Sequence, residues 1–366
     1  MADVAIPAGG PAGSAAADPA GGGAARVKLS CRGLWKVYGP RPGWYFDTRG
    51  YRIDADDLAA RMQAEGHIPA VVDASFDVHE GEIFVIMGLS GSGKSTLVRC
   101  LSRLIDASAG QVLLDGEDLL AATPAQLIEI RRKRMGMVFQ GFGLLPHLNV
   151  LENVAFPLRL QGMARAEREA RARDMVAQVG LEGRETAFPA QLSGGQQQRV
   201  GIARSLCGGG DLWFLDEPFS ALDPLIWRQM QDEFLHLQAH LHKTIVFITH
   251  DIAEACRLGD RIALMRAGRI VQLGTPADIL LRPADPYVAA FTGEVALTHA
   301  IRAGDLATDA PPPEGAPPVE ADAPIETLLA GIARGASAFA VRPGRRHGGG
   351  TLTAQAVLSV LEGGAR

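Results

Sequence analysis

A glycine-rich segment that directly follows a short apolar run constrains this 366-residue chain most. The run is Ile83–Met87, and the segment reads Gly-Leu-Ser-Gly-Ser-Gly-Lys-Ser-Thr over residues 88–96. This spacing predicts a strand, a tight loop and a helix, in which loop N–H groups and the positive helix end point inward and can bind phosphate. Glycine at 88, 91 and 93 lets the backbone wrap a phosphate chain without an obstructing Cβ atom.

Two polar residues of this segment have predicted roles of their own. We expect Lys94 to bridge the terminal phosphates, and Ser95 to ligate Mg²⁺, which prefers hard oxygen ligands. The candidate nucleotide-binding residues here are Gly88, Leu89, Ser90, Gly91, Ser92, Gly93, Lys94, Ser95 and Thr96. The alternative, a glycine-rich turn that matches by chance, would not be expected to fill every fixed position between a strand and a helix.

Composition is that of a globular chain. Its 47% hydrophobic residues suffice for a sizeable core, and its length allows roughly two to three domains. The net charge of -5 argues against nucleic acid as a partner, and the basic run Arg131–Arg134 is interpreted as a solvated helix face. Four scattered cysteines favour a reducing cytoplasm over a zinc site or disulfide framework. No stretch approaches the ~18 apolar residues of a membrane-spanning helix.

Two further apolar runs end in residues that suit phosphate chemistry. Leu212–Leu215 predicts a strand buried on both faces, and the charges of Asp216 and Glu217 at its end are costly unless they are used. We expect Asp216 to hold the Mg²⁺ water shell, and Glu217 to orient or deprotonate the water that attacks a γ-phosphate. Thr244–Thr249 predicts another buried strand, which ends in His250, a candidate partner for that phosphate.

Three other positions are ambiguous when each is taken alone. Tyr38 ends an early strand, where it can either stack on a purine or simply pack. Gln140 follows the predicted strand Met135–Phe139, and its amide can ligate Mg²⁺ or orient water. The turn at Ser193, Gly194, Gly195 and Gln196 opens a helix, which is either a second anion site or an ordinary capped helix.

In order and spacing these motifs resemble those of the ATP-binding cassette (ABC) ATPases. By that resemblance, residues 88–95 are the Walker A motif, 212–217 the Walker B motif, and His250 the switch histidine. Gln140 becomes the Q-loop glutamine, residues 192–199 the signature motif, and residues 220–223 the D-loop, which contains Asp223. The resemblance covers about residues 27–295, and the signature motif is specific to this superfamily.

The resemblance implies an α/β P-loop NTPase with a RecA-like core, an antiparallel β subdomain and a helical subdomain. It implies catalytic roles for Glu217, His250 and Gln140, Mg²⁺ ligation by Ser95, Gln140 and Asp216, and adenine stacking on Tyr38. Two copies would bind two ATP molecules, each between one P-loop and the signature turn of the opposite subunit. Asp223 would join the nucleotide-contacting residues at that interface.

Within the superfamily the chain is similar to the ATPase subunits of glycine betaine/proline importers, of the quaternary amine osmoprotectant class. The similarity rests on an insertion at 40–70, on Glu80–Leu97, on Arg131–Phe139, and on Ala221–Ile226 with Asp232. It implies a homodimer, bound peripherally at the cytoplasmic face of the inner membrane, that powers import of such solutes through a separate integral permease. A solute-binding protein outside the cell would select the solute.

The remaining chain is divided by composition. Residues 1–26 predict a disordered tail, 27–295 the cassette with a helical subdomain at 141–191, and 296–323 a linker. Residues 324–366 alternate helical and strand patterns and resemble a single degenerate cystathionine-β-synthase (CBS) type module. Such a module would either sense ionic strength or a nucleotide, or simply support a dimer.

Two alternatives to a transport ATPase remain at this level. One is a soluble, non-transport cassette protein of DNA repair or the ribosome, against which stand the single cassette and the acidic charge balance. The other is an inactive regulatory subunit, which would be expected to have lost Lys94 or Glu217, and the chain retains both.

Overall fold

The computed structural model describes residues 26–46, 54–138, 143–219, 224–293, 295–344 and 347–363. Three predictions therefore lie outside the described residues: Gln140, the D-loop with Asp223, and, except for Arg26, the disordered tail. The strands are β1 Val27–Tyr38, β2 Ile68–His79, β3 Ile83–Met87, β4 Ala109–Leu114, β5 Glu117–Asp118, β6 Met135–Val138, β7 Leu212–Asp216, β8 Thr244–Thr249, β9 Arg261–Arg266, β10 Arg269–Gly274, β11 Pro318–Glu320, β12 Ala338–Arg342 and β13 Gly350–Thr353. The helices are α1 Ala55–Ala64, α2 Lys94–Leu101, α3 Pro124–Lys133, α4 Val150–Leu160, α5 Arg165–Gln178, α6 Gly194–Cys207, α7 Pro224–Leu241, α8 Ile252–Leu258, α9 Pro276–Leu281, α10 Pro286–Thr292, α11 Leu297–Ala300, α12 Glu326–Ala333 and α13 Ala354–Gly363.

A six-stranded sheet of order β10-β9-β3-β8-β7-β6 forms the centre of the fold. Its strands run parallel from β9 to β6, and β10 pairs antiparallel with β9. Strands β3, β7 and β8 are buried along their whole length, as their unbroken apolar runs predict for strands covered on both faces. In register, Met87 lies beside Thr249, and Asp216 beside Ile248. The carboxyl ends of these three strands therefore share one edge, where open α/β sheets bind ligands.

A second sheet, of order β2-β1-β4-β5, is antiparallel throughout. The insertion between β1 and β2 contains α1, whose Met62 is fully buried in a cluster with Trp35 and Val72. Asp54 caps α1, because its side chain accepts a hydrogen bond from the N–H of Asp56 at 2.8 Å. The insertion therefore carries a short amphipathic helix that packs on the antiparallel sheet.

Helices α4, α5 and α6 form a helical unit beside the central sheet and share its hydrophobic cluster. The fully buried amide of Asn153 donates to the carbonyl oxygens of Leu145, Leu148 and Asn149, and its oxygen accepts from the N–H of Leu145. These four bonds satisfy one side chain completely and fix the irregular segment before α4. Helices α4 and α5 fall within the span 141–191 in which a helical subdomain is predicted, and α6 lies beyond that span.

The C-terminal residues form a small α/β unit in which β12 pairs parallel with β11 and antiparallel with β13. This unit begins earlier than predicted. The span 296–323, which the sequence predicts to be a linker, instead contains α11, a 3-10 turn at Ala303–Leu306 and β11. Ile301 and Ala321 are fully buried, and the N–H of Ile325 donates to the Ile301 carbonyl. Composition conceals these contacts, since small apolar residues are dispersed among proline and acidic residues. The likeness to a CBS module stays a prediction.

The basic run Arg131–Arg134 lies at the end of α3. Arg132 and Lys133 form ion pairs with Glu129 one turn earlier, and Arg134 pairs with Asp115 and Glu117 of the antiparallel sheet. Among the described residues, no helix combines the length and apolar character that crossing a bilayer requires.

Candidate functional site

The glycine-rich loop joins β3 to α2 with the backbone that its glycines predict. Gly88, Gly91 and Gly93 have φ angles of 149°, 80° and 102°, a region that other residues rarely adopt. A Cβ atom at Gly88 would lie 2.3 Å from the Met265 carbonyl oxygen, and one at Gly93 would lie 2.2 Å from that of Ala70. At both positions glycine is required by available space as well as by φ.

Backbone hydrogen bonds hold this loop from outside. The N–H of Gly268, in the turn between β9 and β10, donates to the Ser92 carbonyl at 2.9 Å. The carbonyl of Gly268 in turn accepts from the N–H of Val72 in β2, also at 2.9 Å. The loop is therefore tied to both sheets. Gly268 is absent from the predicted site, and its signal in the sequence is an Ala-Gly pair between two apolar strands.

Lys94 and Ser92 are the two side chains of the loop that can bind an anion. The Lys94 side chain is 6% exposed and donates to the carbonyl oxygens of Gly88 and Leu89 at 2.8 and 3.1 Å. Burial lowers the pKa of Lys94 from its usual 10.5. The hydroxyl of Ser92 is buried and has no hydrogen-bond partner within the described part of the chain. A phosphate bound here would supply acceptors to this hydroxyl, to Lys94 and to the N–H groups that begin α2.

Ser95 and Asp216 form the candidate metal site. The Ser95 hydroxyl donates to Oδ1 of Asp216 at 3.3 Å, which joins the first turn of α2 to the end of β7. Asp216 is 5% exposed, and burial raises the pKa of its carboxyl above the usual 3.8. A hydroxyl and a carboxylate are the hard oxygen ligands that Mg²⁺ prefers, usually alongside waters and substrate phosphates. In the residues the structure describes, no group of three or more His, Cys, Asp or Glu side chains forms a fuller metal cage.

Glu217 and His250 meet at the same edge of the sheet. Nδ1 of His250 lies 3.2 Å from Oε2 of Glu217, and the Glu217 N–H donates to the Ile248 carbonyl at 3.1 Å. Glu217 has a φ of 45°, a left-handed conformation that costs a side-chain-bearing residue about 1–2 kcal/mol. A strained backbone conformation of this kind persists only when the surrounding structure holds it in place. At Glu217 this conformation directs the carboxylate towards His250.

The Ser-Gly-Gly turn caps α6. The Ser193 hydroxyl accepts from the N–H of Gln196, and the Gln196 side-chain oxygen accepts from the N–H of Ser193, a reciprocal capping box. Ser193 and Gly194 are exposed, whereas Gly195 is buried. Among the described hydrogen bonds and ion pairs, none joins residues 193–196 to the glycine-rich loop, so the two predicted anion sites of one chain do not meet through such contacts.

Tyr38 ends β1 opposite Ile68, the first residue of β2, and its side chain is 44% exposed. The ammonium of Lys36 lies 5.0 Å from the centre of its ring. An exposed aromatic ring at the carboxyl end of β1 is available for stacking. Among the described hydrogen bonds and ion pairs, none joins Tyr38 to the cluster that Lys94, Ser95, Asp216, Glu217 and His250 form at the edge of the central sheet. Gln140 and Asp223 lie outside the described residues.

The ABC transporter family model matches residues 71–220. The trimethylamine N-oxide transport system ATP-binding protein of Ruegeria pomeroyi is 54% identical over 300 residues, which cover 82% of this chain and 87% of that protein. The glycine betaine/proline betaine transport system ATP-binding protein of Salmonella typhimurium is 48% identical over 285 residues, 78% of this chain and 70% of that protein.

A solved structure extends the similarity to the fold. The dimeric ATP-binding cassette MJ0796, in a post-hydrolysis state bound to ADP and Pi, superposes with a TM-score of 0.57 at 32% identity. The match covers 68% of this chain and 98% of that one.

Proposed function

Because the chain belongs to the ABC transporter family of ATP-binding proteins, we propose that it energises import of small methylated amines, such as glycine betaine, choline or trimethylamine N-oxide. The chain is an ATP-hydrolysing subunit. The observation that carries the substrate class is the 48–54% identity to ATP-binding proteins of trimethylamine N-oxide and glycine betaine/proline betaine transport systems.

The residues around the glycine-rich loop receive distinct roles in this proposal. Lys94 exchanges its two backbone acceptors for the terminal phosphates of ATP, and the Ser92 hydroxyl gains the partner that it lacks among the described residues. Glu217 accepts a proton from the attacking water, which its carboxylate orients. His250, held beside Glu217, donates a hydrogen bond to the γ-phosphate.

We assign Mg²⁺ to Ser95 and Asp216, whose oxygens already approach each other at 3.3 Å. When bound, the ion would neutralise charge on the phosphate oxygens during transfer. Gln140 is proposed as a further ligand on the basis of its motif alone. Tyr38 stacks on adenine in this proposal, supported by its exposed ring.

The proposed working unit is a homodimer. Ser193, Gly194, Gly195 and Gln196 present an exposed, capped helix N-terminus that makes no described hydrogen bond to its own glycine-rich loop. Such a terminus favours an anion, and the γ-phosphate held by a second subunit is the ligand we propose. Asp223 would lie at the same interface. The dimeric neighbour MJ0796 supports this arrangement.

We further propose that the dimer binds peripherally to the cytoplasmic side of the inner membrane, on an integral permease served by a solute-binding protein outside the cell. The relatives are named as ATP-binding proteins of transport systems, so the non-transport alternative is not favoured. The C-terminal unit is proposed to support dimerisation, and its likeness to a CBS module rests on the sequence pattern.

Two measurements test the proposed function. Glu217→Gln removes the proton acceptor but keeps the side-chain shape, so we expect ATP binding to persist while kcat falls by about a thousandfold or more. Wild-type turnover in this variant would contradict the role of Glu217.

Transport is tested by the uptake of labelled glycine betaine, choline and trimethylamine N-oxide, compared between cells with the wild-type chain and cells with Glu217→Gln. Uptake that is equal in both strains for all three solutes would contradict it.

A further inference from the structure

The carboxylate of Glu254 is buried between two helices. Glu254 lies in α8, is 4% exposed, and its Oε1 accepts hydrogen bonds from Nε1 of Trp227 at 3.2 Å and Nε2 of Gln231 at 3.0 Å. Both donors come from α7 at i and i+4 spacing, so they share one face of that helix. Burial raises the pKa of Glu254, because the charged form is poorly solvated there.

The other side of Glu254 is bound to the residues that flank His250. The N–H of Glu254 donates to Oδ1 of Asp251 at 2.9 Å, and the N–H of Asp251 donates to Oγ1 of Thr249 at 3.0 Å. These two bonds hold the residues on either side of His250, whose own side chain is 56% exposed and reaches Glu217.

We propose that Glu254 is a positioning residue that fixes His250 relative to α7 and so maintains the alignment of His250 with Glu217. This inference rests on the proposed role of His250 in ATP hydrolysis. Helix α7 begins at Pro224, directly after residues 220–223, and Trp227 lies in its first turn. Glu254 thus connects the strand end that carries His250 to the helix that continues the predicted D-loop.

The state of Gln231 supports a positioning role over a purely stabilising one. Its side chain is fully buried, yet its Oε1 has no hydrogen-bond partner among the described residues. A buried amide with one unpaired atom is unfavourable compared with an apolar side chain of the same size. The Gln231 side chain bonds Glu254, so what it contributes is the orientation of that carboxylate.

Steady-state ATPase kinetics of the full chain test this inference. We expect Glu254→Ala to lower kcat by about tenfold or more while the KM for ATP changes by less than about twofold, because the glycine-rich loop is untouched. Glu254→Gln keeps the Oε1 acceptor, so we expect it to retain kcat within about threefold of wild type. Hydrogen exchange at residues 249–254 should rise in Glu254→Ala.

Glu82 provides the matched control. It is also a buried carboxylate, 8% exposed, but it precedes β3 at the opposite edge of the sheet, where it binds His79 and Arg261. Glu82→Ala should lower the melting temperature yet keep kcat and KM within about twofold of wild type. A kcat loss that Glu82→Ala reproduces, or unchanged kcat in Glu254→Ala, would overturn the inference.

Further variants cover the remaining outcomes. If Glu254→Ala does not fold, Gln231→Leu removes one donor with little change in volume, and Trp227→Phe removes the other donor together with one ring. Each should lower kcat several-fold at constant KM. Wild-type kcat in both would overturn the inference. His250→Ala separates the two levels: unchanged kcat in His250→Ala contradicts the proposed role of His250. A loss in His250→Ala without one in Glu254→Ala contradicts the positioning role alone.

Discussion

The hydroxyl of Ser95 donates a hydrogen bond to the carboxylate of Asp216 across 3.3 Å, although 121 positions separate the two residues in the chain. The contact exists because β3 and β7 both flank β8 in parallel, so the helix after β3 and the last residue of β7 reach the same edge. Among the described residues, Ser95 is the hydroxyl that donates to this buried carboxylate, and one such donor compensates a buried charge poorly. That deficit is what a cation at this site would relieve.

Replacing Asp216 should therefore raise the stability of the protein and remove its Mg²⁺-dependent ATPase activity. Burial raises its pKa above 3.8, so the folded protein holds this proton more tightly than the unfolded chain does. The contribution of Asp216 to stability is greatest below pH 3.8 and is lost as the pH rises through the raised pKa. We predict that Asp216→Asn raises the melting temperature at neutral pH, that the gain shrinks as the pH falls towards 3.8, and that Mg²⁺-dependent turnover is lost. Calorimetry across this pH range checks the prediction, which a gain independent of pH, or none, would contradict.

Removing the Tyr38 ring should weaken binding of the base and leave binding of the phosphates intact. Stacking on an aromatic side chain contributes roughly 1–3 kcal/mol per base, so Tyr38→Ala should lose about fivefold or more in ATP affinity. The affinity for inorganic tripolyphosphate should not change, and Tyr38→Phe should behave as wild type. Equal losses for both ligands, measured by titration calorimetry, would show that Tyr38 acts on the loop and not on adenine.

A methyl group at Gly93 should disrupt the loop itself. It would meet the Ala70 carbonyl oxygen at 2.2 Å, and β2 cannot yield without breaking its pairing with β1. We predict that Gly93→Ala abolishes measurable ATP binding. Gly183→Ala is the control, because Gly183 also has a positive φ, 78°, but has open space around it. This control should lose about 1 kcal/mol of stability and no ATP affinity. Normal ATP binding in Gly93→Ala would contradict the geometry described for the loop.

Of the six strands in the central sheet, local patterns predict β3, β6, β7 and β8, but not β9 and β10. The apolar runs before Gly88, Asp216 and His250 are the buried strands β3, β7 and β8. The order of the strands in the sheet does not follow their order in the chain, because β8, which comes late in the chain, lies between β3 and β7. What the sequence permits is the inference that charged residues at the ends of buried strands meet at one edge.

Features that depend on tertiary contact were not predictable from the sequence. The left-handed backbone of Glu217 and the support of Ser92 by Gly268 have no local signature, because each is imposed by neighbouring strands. In the sequence, Glu254 has no feature that distinguishes it from other helix residues, because its burial depends on the packing of α7 against α8. The ordered structure of residues 296–323 is not predictable for a related reason, because Ile301 and Ala321 are buried by partners that composition does not reveal.

The most direct test of the account is a cross-link between the glycine-rich loop of one subunit and the α6 terminus of another. Ser90 and Ser193 are exposed and the four native cysteines are buried, so Ser90→Cys and Ser193→Cys introduce two accessible thiols. In a Glu217→Gln background, the account predicts that a short bifunctional thiol reagent yields a covalent dimer on a denaturing gel when ATP and Mg²⁺ are present, and little without ATP. A chain that stays monomeric with ATP bound and hydrolysis blocked would contradict it.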